Sequence, residues 1–161
     1  TGSDVNAADP VVLGNLVFVA SGYGKGSALY DVAGARPAPV WRNSAFDTHF
    51  SSFVAIDGYL YGIDGDARQP TAGVLKCLEV ATGRTAWTAP SGFGSIVATS
   101  EHLVVLNASG TLIVAEATSA GYREVARAAL PRNQYWTPPA LAGGKLFVRN
   151  LTGDLFAIDV R

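Results

Sequence analysis

The feature that most constrains the fold is a repeat with a period of about 43 residues. Four segments align at this spacing: VVLGNLVFV (11–19), VAIDGYLYG (54–62), ATSEHLVVL (98–106) and ALAGGKLFV (140–148). One leucine column runs through all four, at Leu16, Leu60, Leu103 and Leu146. Self-similarity at a fixed spacing of roughly 20–50 residues is typical of repeat architectures, so we expect four similar structural units.

Within each unit the pattern predicts short strands separated by turns. Glycine stands two residues before the shared leucine in three units, and the two-residue turn of a β-hairpin requires the positive φ angles that glycine adopts readily. A third strand is predicted at 25–32, 73–80, 110–117 and 153–160. A fourth strand is predicted at 38–43, 84–89 and 122–130, and the last unit has no counterpart. The second unit also contains a polar insertion, DGDARQPTA, at 64–72.

Four short antiparallel strands repeated in tandem are typical of the blades of a β-propeller. Such a unit cannot cover its own faces and must stack on its neighbours. A β-sandwich, the alternative all-β fold, would not require glycine and leucine columns at a fixed spacing. We therefore predict an all-β chain that forms one β-propeller segment of about four blades, at 9–43, 51–89, 95–130 and 137–161.

Aromatic residues recur in register as well. Trp41 and Trp87 lie in equivalent outer strands, where each indole is expected to dock on the next blade and donate its N–H to a backbone carbonyl. Phe50, Phe93 and Trp136 share a second column, in the connections between blades. Because aromatic side chains in register usually fill space, we expect these three to be packing wedges.

The segment LEVATGRTAW (78–87) resembles the blade signature of the PQQ-like repeat propellers, in which a Thr-Gly turn precedes a strand that carries tryptophan. Segments 51–64, 95–117 and 138–161 resemble successive blades of that family, the last of them its closing blade. The family includes quinone-dependent alcohol dehydrogenases and an outer-membrane assembly lipoprotein. Because its propellers usually have about seven or eight blades, the resemblance implies a C-terminal half that further blades or self-association would complete. A compact four-bladed ring is the alternative.

Charge and hydropathy limit the partners. Charged residues make up 16% of the chain, the net charge is −1, and no two basic residues are adjacent, so nucleic acid is not an expected partner. No apolar run approaches the ~20 residues that cross a bilayer, so membrane insertion is not expected either. A protein, a peptide or a glycan fits this composition better, and self-association is expected from the partial ring.

The stretch FDTHFSS (46–52) places an acid, a histidine and serines close together, but close neighbours in sequence make poor catalytic triads. The stretch belongs to one of three equivalent connections, 42–50, 89–95 and 131–137, and the resemblance implies that these lie on one rim near the central channel. One position before the aromatic column, the residue varies between units. The candidate ligand-binding residues are therefore Asp47, His49, Arg132, Gln134 and Tyr135. A purely structural histidine is the alternative for His49.

Cofactor chemistry is not expected. Cys77 is the only cysteine, so the adjacent pair that helps to hold the quinone in the family's dehydrogenases cannot form; a small buried hydrophobe is its expected role. The acidic turns at 64–68 and 152–154 lack the six to eight oxygens that calcium takes, so no metal site is predicted.

We expect a non-catalytic binding scaffold, periplasmic or secreted from a bacterium, and not an enzyme. One alternative is a part of a quinone-dependent or polysaccharide-acting enzyme whose catalytic residues lie outside this chain. The other is a repeat fragment whose main property is self-assembly.

Overall fold

The computed structural model describes residues 6–160 and shows fifteen β-strands in four sheets. The first sheet contains β1 (Val11–Leu13), β2 (Leu16–Ser21), β3 (Gly26–Asp31) and β4 (Ala38–Asn43). The second contains β5 (Val54–Ile56), β6 (Tyr59–Asp64), β7 (Val74–Glu79) and β8 (Thr85–Pro90). The third contains β9 (Gly94–Ala98), β10 (His102–Asn107), β11 (Thr111–Glu116) and β12 (Glu124–Ala129). The fourth contains β13 (Ala140–Ala142), β14 (Lys145–Arg149) and β15 (Leu155–Asp159).

Each sheet is an antiparallel meander in chain order, with β1, β5, β9 and β13 at one edge. Strands that are consecutive in sequence pair because the turns between them are tight. In the turn between β5 and β6, Asp57 and Gly58 both have positive φ, as a two-residue hairpin turn requires. The outer pairing of the first three sheets contains one register shift, between Leu29 and Tyr30 and at the equivalent places in the next two sheets. These irregularities give a common reference for comparing the units.

Apolar side chains are buried between successive sheets. One cluster, which includes Phe18 and Leu60, joins the first sheet to the second. Another, which includes Cys77 and Leu103, joins the second to the third, and a third cluster around Leu146 joins the third to the fourth. Burial of these faces is the main stabilising contribution, because none of the sheets could cover its apolar side chains alone.

This stacking of three four-stranded sheets and one three-stranded sheet confirms the predicted fold, an all-β partial propeller. The domain boundaries stay a prediction; the strands fall inside the expected blades except at Pro90 and Gly94, each one residue beyond a predicted bound. Three of the four leucines of the repeat column, Leu60, Leu103 and Leu146, are buried, and Leu16 at the first sheet is half-buried. Within residues 6–160, no helix is long and apolar enough to cross a membrane.

Candidate functional site

The connections that follow the second and fourth strands of each blade lie at the same end of the sheets, because successive strands alternate in direction. We call this end the top rim. It consists of the connections β2–β3, β4–β5, β6–β7, β8–β9, β10–β11, β12–β13 and β14–β15. The three connections that the sequence indicated as the site are therefore on one rim with the turns between second and third strands.

A first pocket of about 330 Å³ opens on the top rim between the first two blades. His49 forms part of its wall, and its ring is stacked on Tyr23 at 4.7 Å between ring centroids. The His49 Nδ1 lies 3.3 Å from a carboxylate oxygen of Asp66. Arg68 also extends over the Tyr23 ring, with its guanidinium carbon 5.8 Å from the centroid. The pocket thus combines one aromatic surface with charged groups of both signs.

Asp47 lines the same pocket, but its polar groups already have partners within the rim. Its carboxylate accepts a hydrogen bond from the Gly24 N–H at 2.8 Å, and its backbone N–H donates to the carboxylate of Asp64. Its carbonyl accepts the N–H of Gly65 at 3.1 Å. Asp47 therefore ties the β2–β3 turn to the β6–β7 connection and sets the shape of the pocket.

Asp66 and Arg68 form the charged lip of the first pocket. The Arg68 side chain donates to both carboxylate oxygens of Asp66 and is largely exposed. These hydrogen bonds, assisted by the backbone N–H of Arg68 and the nearby His49, lower the pKa of Asp66 to about 2. Asp66 is therefore a fixed negative charge at neutral pH.

A second pocket, of about 470 Å³, lies on the top rim between the β6–β7 connection of the second blade and the β10–β11 and β12–β13 connections that follow strands of the third. Arg132 and Gln134 line it, together with Asn133, Ser109 and Pro70. The Gln134 carbonyl accepts the N–H of Leu151, which fixes the β12–β13 connection against the fourth blade. Arg132 is the one charged residue in this lining.

Tyr135 does not reach either pocket. Its side chain is buried, and its hydroxyl donates to the Pro131 carbonyl at 2.8 Å. The ring lies so close to Gly110 that a Cβ there would be 2.7 Å from it. The structure thus divides the five predicted residues: Asp47 and His49 line the first pocket, Arg132 and Gln134 line the second, and Tyr135 is part of the core.

The insertion at 64–72 forms the wall between the two pockets. Gln69 lines the first pocket and Pro70 lines the second. The Pro70 carbonyl accepts the N–H of Phe93 at 2.7 Å, and Gly73 lies so close to this connection that a Cβ on it would be 2.1 Å from the same nitrogen. Sequence reasoning interpreted this insertion only as a loop and missed Asp66, Arg68 and Gln69. Its presence in a single unit was the available signal.

The column of Phe50, Phe93 and Trp136 converges beside these pockets. The centroid of the Phe50 ring lies 4.9 Å from that of Phe93 and 5.7 Å from that of Trp136. Phe93 is buried, whereas Trp136 is 44% exposed. The wedges thus contact one another as well as the blades, and one of them presents an indole to solvent.

The arrangement offers no hydrolytic machinery at the stretch 46–52. The Ser51 hydroxyl donates to the Gly94 carbonyl, and the His49 Nδ1 faces Asp66, so these side chains are not assembled as a triad. Among residues 6–160, no group of three or more histidine, cysteine or acidic side chains is arranged to hold a metal ion. What the pockets can do chemically is bind polar, charged or aromatic groups.

Four-stranded antiparallel blades stacked by their apolar faces define the class of β-propeller proteins. The family model described as "Outer membrane protein assembly factor BamB" matches residues 2–89 and 71–161. The chain belongs to this family, as the resemblance of its blades implied. No curated protein matches the chain in sequence.

Solved structures show the same fold. The chain is similar to BamB from Moraxella catarrhalis, with a TM-score of 0.72 and 14% identity over 93% of this chain and 42% of that one. It is similar to the computationally designed Ika8 protein, with a TM-score of 0.72 and 11% identity over 96% of this chain and 45% of that one. The designed Ika4 protein gives a TM-score of 0.70 and 11% identity, over 96% and 91% of the two chains. This chain thus spans less than half the length of BamB and Ika8.

Proposed function

We propose that this chain is a non-catalytic interaction module that holds a protein partner on its top rim. The observation that carries the proposal is the presence on one rim of exposed Tyr23 and Trp136 together with Arg68 and Arg132. Tyrosine, tryptophan and arginine are the residues in which binding energy concentrates at protein interfaces.

Charge on the two sides of the insertion supports the same proposal. The first pocket is lined by Asp47, Asp64 and Asp66 against a single arginine, Arg68, whereas Arg132 alone gives the second pocket its charge. A partner with a basic and an acidic group at the matching separation would be oriented by this pattern. The insertion wall sets that separation.

The family supports the scaffold role and the location. Its model is that of an outer membrane protein assembly factor, and one structural relative is part of a mitotic checkpoint complex. We propose accordingly that the chain acts in the bacterial periplasm or after secretion, through protein contacts. Peptides and glycans remain candidate ligands for the first pocket, where Tyr23 offers a stacking surface beside carboxylates.

Site-specific photocrosslinking would test the rim. A photoreactive phenylalanine at Gln69 should give a discrete crosslinked product in envelope extract of the source bacterium, and the double variant W136A/R132A should remove it. The same probe at Ala33, an exposed residue in the connection between β3 and β4, is the matched control because this connection lies at the opposite end of the sheets and does not line a pocket of the rim. Equal products at both positions, or a product that survives the double variant, would contradict the proposal.

A thermal titration with PQQ and calcium tests the enzymatic alternative. The scaffold role predicts an unchanged melting temperature, because the sequence has a single cysteine and residues 6–160 contain no group of acidic side chains arranged to hold a metal ion. A dose-dependent rise would show specific binding and would favour a quinone-dependent function.

Self-association is a further part of the proposal. Exposed large apolar side chains concentrate on the first and last sheets, where Val12 is 68% exposed and Leu155 is 69% exposed. The three apolar clusters among residues 6–160 join successive sheets, and none joins the fourth to the first. Native mass measurement tests this directly: two copies completing one ring would give twice the chain mass of 16.7 kDa.

A further inference from the structure

The first two interfaces between blades each contain a docked indole. Trp41, in β4, donates its Nε1–H to the Val80 carbonyl of the second blade at 2.8 Å. Trp87, in β8, donates in the same way to the Thr118 carbonyl of the third blade at 2.8 Å. Each ring packs against the apolar cluster of its interface. The indole therefore closes the outer part of the wedge between two neighbouring sheets.

The register shifts identify the equivalent residue in the third blade. In the first sheet the shift begins directly after Leu29 of β3, and Trp41 is the residue paired with Leu29. In the second sheet the shift begins directly after Cys77 of β7, and Trp87 is the residue paired with Cys77. In the third sheet this place belongs to Ala126, opposite Val114. The third interface thus has an alanine where the other two have tryptophan.

A cavity of about 470 Å³ occupies the position of the missing indole, and we call it the indole slot. Ala126 and Val114 form one wall, and Leu146 and Ile158 of the fourth blade form the other. The volume is within the range of roughly 300–1,000 Å³ that is usual for ligand pockets. The slot is continuous with the apolar cluster of the third interface, which shares Leu112, Leu146 and Ile158 with its lining.

The hydrogen-bond acceptor has its counterpart too. Val80 follows β7 and donates its N–H to the Gly58 carbonyl, and Val160 follows β15 and donates to the Gly144 carbonyl in the same way. Val160 lines the slot. Its carbonyl therefore corresponds to the one that accepts the Trp41 indole in the first interface.

We propose that the indole slot is a binding site for the tryptophan side chain of a partner protein, which docks on the third interface as Trp41 and Trp87 dock on the first two. Two filled slots in the same chain define the shape of the occupant and its N–H donor. The acceptor is the Val80 carbonyl in the first interface and that of Thr118 in the second, one residue beyond Ala117, the equivalent of Val80. Mostly apolar walls with His102, Arg127 and Asp159 at the edge suit an indole carried on a peptide, whose polar backbone would remain at the mouth. The slot lies between the third and fourth sheets, and none of its lining residues belongs to a top-rim connection, so the proposal does not depend on the rim interaction.

Titration of the 161-residue chain with N-acetyltryptophanamide, followed by NMR of methyl groups, is the test. Shifts should concentrate at Leu146, Ile158 and Val114. The 1-methylindole analogue should bind roughly two- to tenfold more weakly, because it lacks the N–H donor. N-acetylleucinamide should bind still more weakly, because it offers neither the ring nor the donor.

Two variants complete the design. Ala126→Trp should fill the slot with an indole of the chain itself, raise the melting temperature and abolish binding of the probe. Val125→Trp adds an indole one residue away, at a residue that does not line the slot, and should leave binding unchanged. If A126W failed to fold, the analogue series on the wild-type chain would still decide the question.

Several results would overturn the proposal. If millimolar N-acetyltryptophanamide did not bind, the slot would be a packing void and not a binding site, even if A126W were more stable than the wild type. Equal binding of the tryptophan and leucine probes would show an unspecific apolar groove. Self-association of the wild-type chain that A126W removes would assign the slot to a second copy instead of a different protein.

Discussion

Removal of the Trp87 indole tests whether the docked tryptophans hold the blades together. The Trp87 ring lies between Tyr61 and Tyr122, at centroid distances of 5.9 and 5.8 Å, and donates its hydrogen bond to the Thr118 carbonyl. Truncation of a buried aromatic side chain to alanine usually costs about 3–5 kcal/mol. Because Trp87 is only partly buried, we expect W87A to lower the free energy of unfolding by about 3 kcal/mol. That is a large fraction of the roughly 5–15 kcal/mol that stabilises a domain.

The Phe variant separates the two parts of this cost. W87F keeps most of the apolar contact but loses the hydrogen bond, so it should cost only about 1 kcal/mol. Urea unfolding followed by circular dichroism measures both, since it does not depend on tryptophan fluorescence. Hydrogen exchange should show the loss of protection at amides of the second interface first, in β7 and β11, because contacts in repeat proteins are between neighbours.

Trp136 provides the control for size and chemistry. It is 44% exposed, so W136A should cost clearly less than W87A, about 1 kcal/mol. If W136A cost as much as W87A, or if W87A remained within about 1 kcal/mol of the wild type, docked indoles would not be the source of blade cohesion.

Two further changes probe single buried groups. Thr48 Oγ1 is a buried oxygen without a hydrogen-bond partner among residues 6–160. Replacing this hydroxyl with a methyl group in T48V should therefore raise the free energy of unfolding by about 1 kcal/mol, whereas T48S, which keeps the hydroxyl, should not. Loss of stability in T48V would show that the hydroxyl has a partner. Burial raises the pKa of the Cys77 thiol to about 11, above its ordinary value of 9.0, so its contribution to stability is complete below about pH 9 and is lost as the pH rises to about 11. C77A should flatten that alkaline decline in urea titrations, and an identical decline would contradict the assignment.

Much of the fold was readable from the sequence because its determinants repeat. Each unit has its own strand and turn residues, so a strand that is hard to assign in one unit can be assigned by alignment with the other three. The docking of Trp41 and Trp87 on backbone carbonyls was predicted from equivalent positions and is confirmed at 2.8 Å in both interfaces. Cys77 is fully buried, as its alternating surroundings indicated.

The site was less predictable, because its residues come from segments that do not repeat. His49 was a candidate from its column, but its neighbours Tyr23 and Asp66 lie 26 and 17 positions away, in turns of two different blades. Tyr135 was chosen for its polar hydroxyl, yet the Pro131 carbonyl of the same connection satisfies that hydroxyl inside the core. Which side of a connection faces solvent depends on tertiary packing, and no local pattern specifies it.

The meeting of Phe50, Phe93 and Trp136 also bears on how such a gene can change. Phe50 contacts the equivalent residue of the next unit and also that of the unit after it, so three tandem positions share one packing environment. A substitution at any one of these three positions therefore changes the packing of at least one of the other two. We therefore expect the side-chain volumes at these three positions to change together during evolution, so that a smaller residue in one unit is accompanied by a larger residue in another.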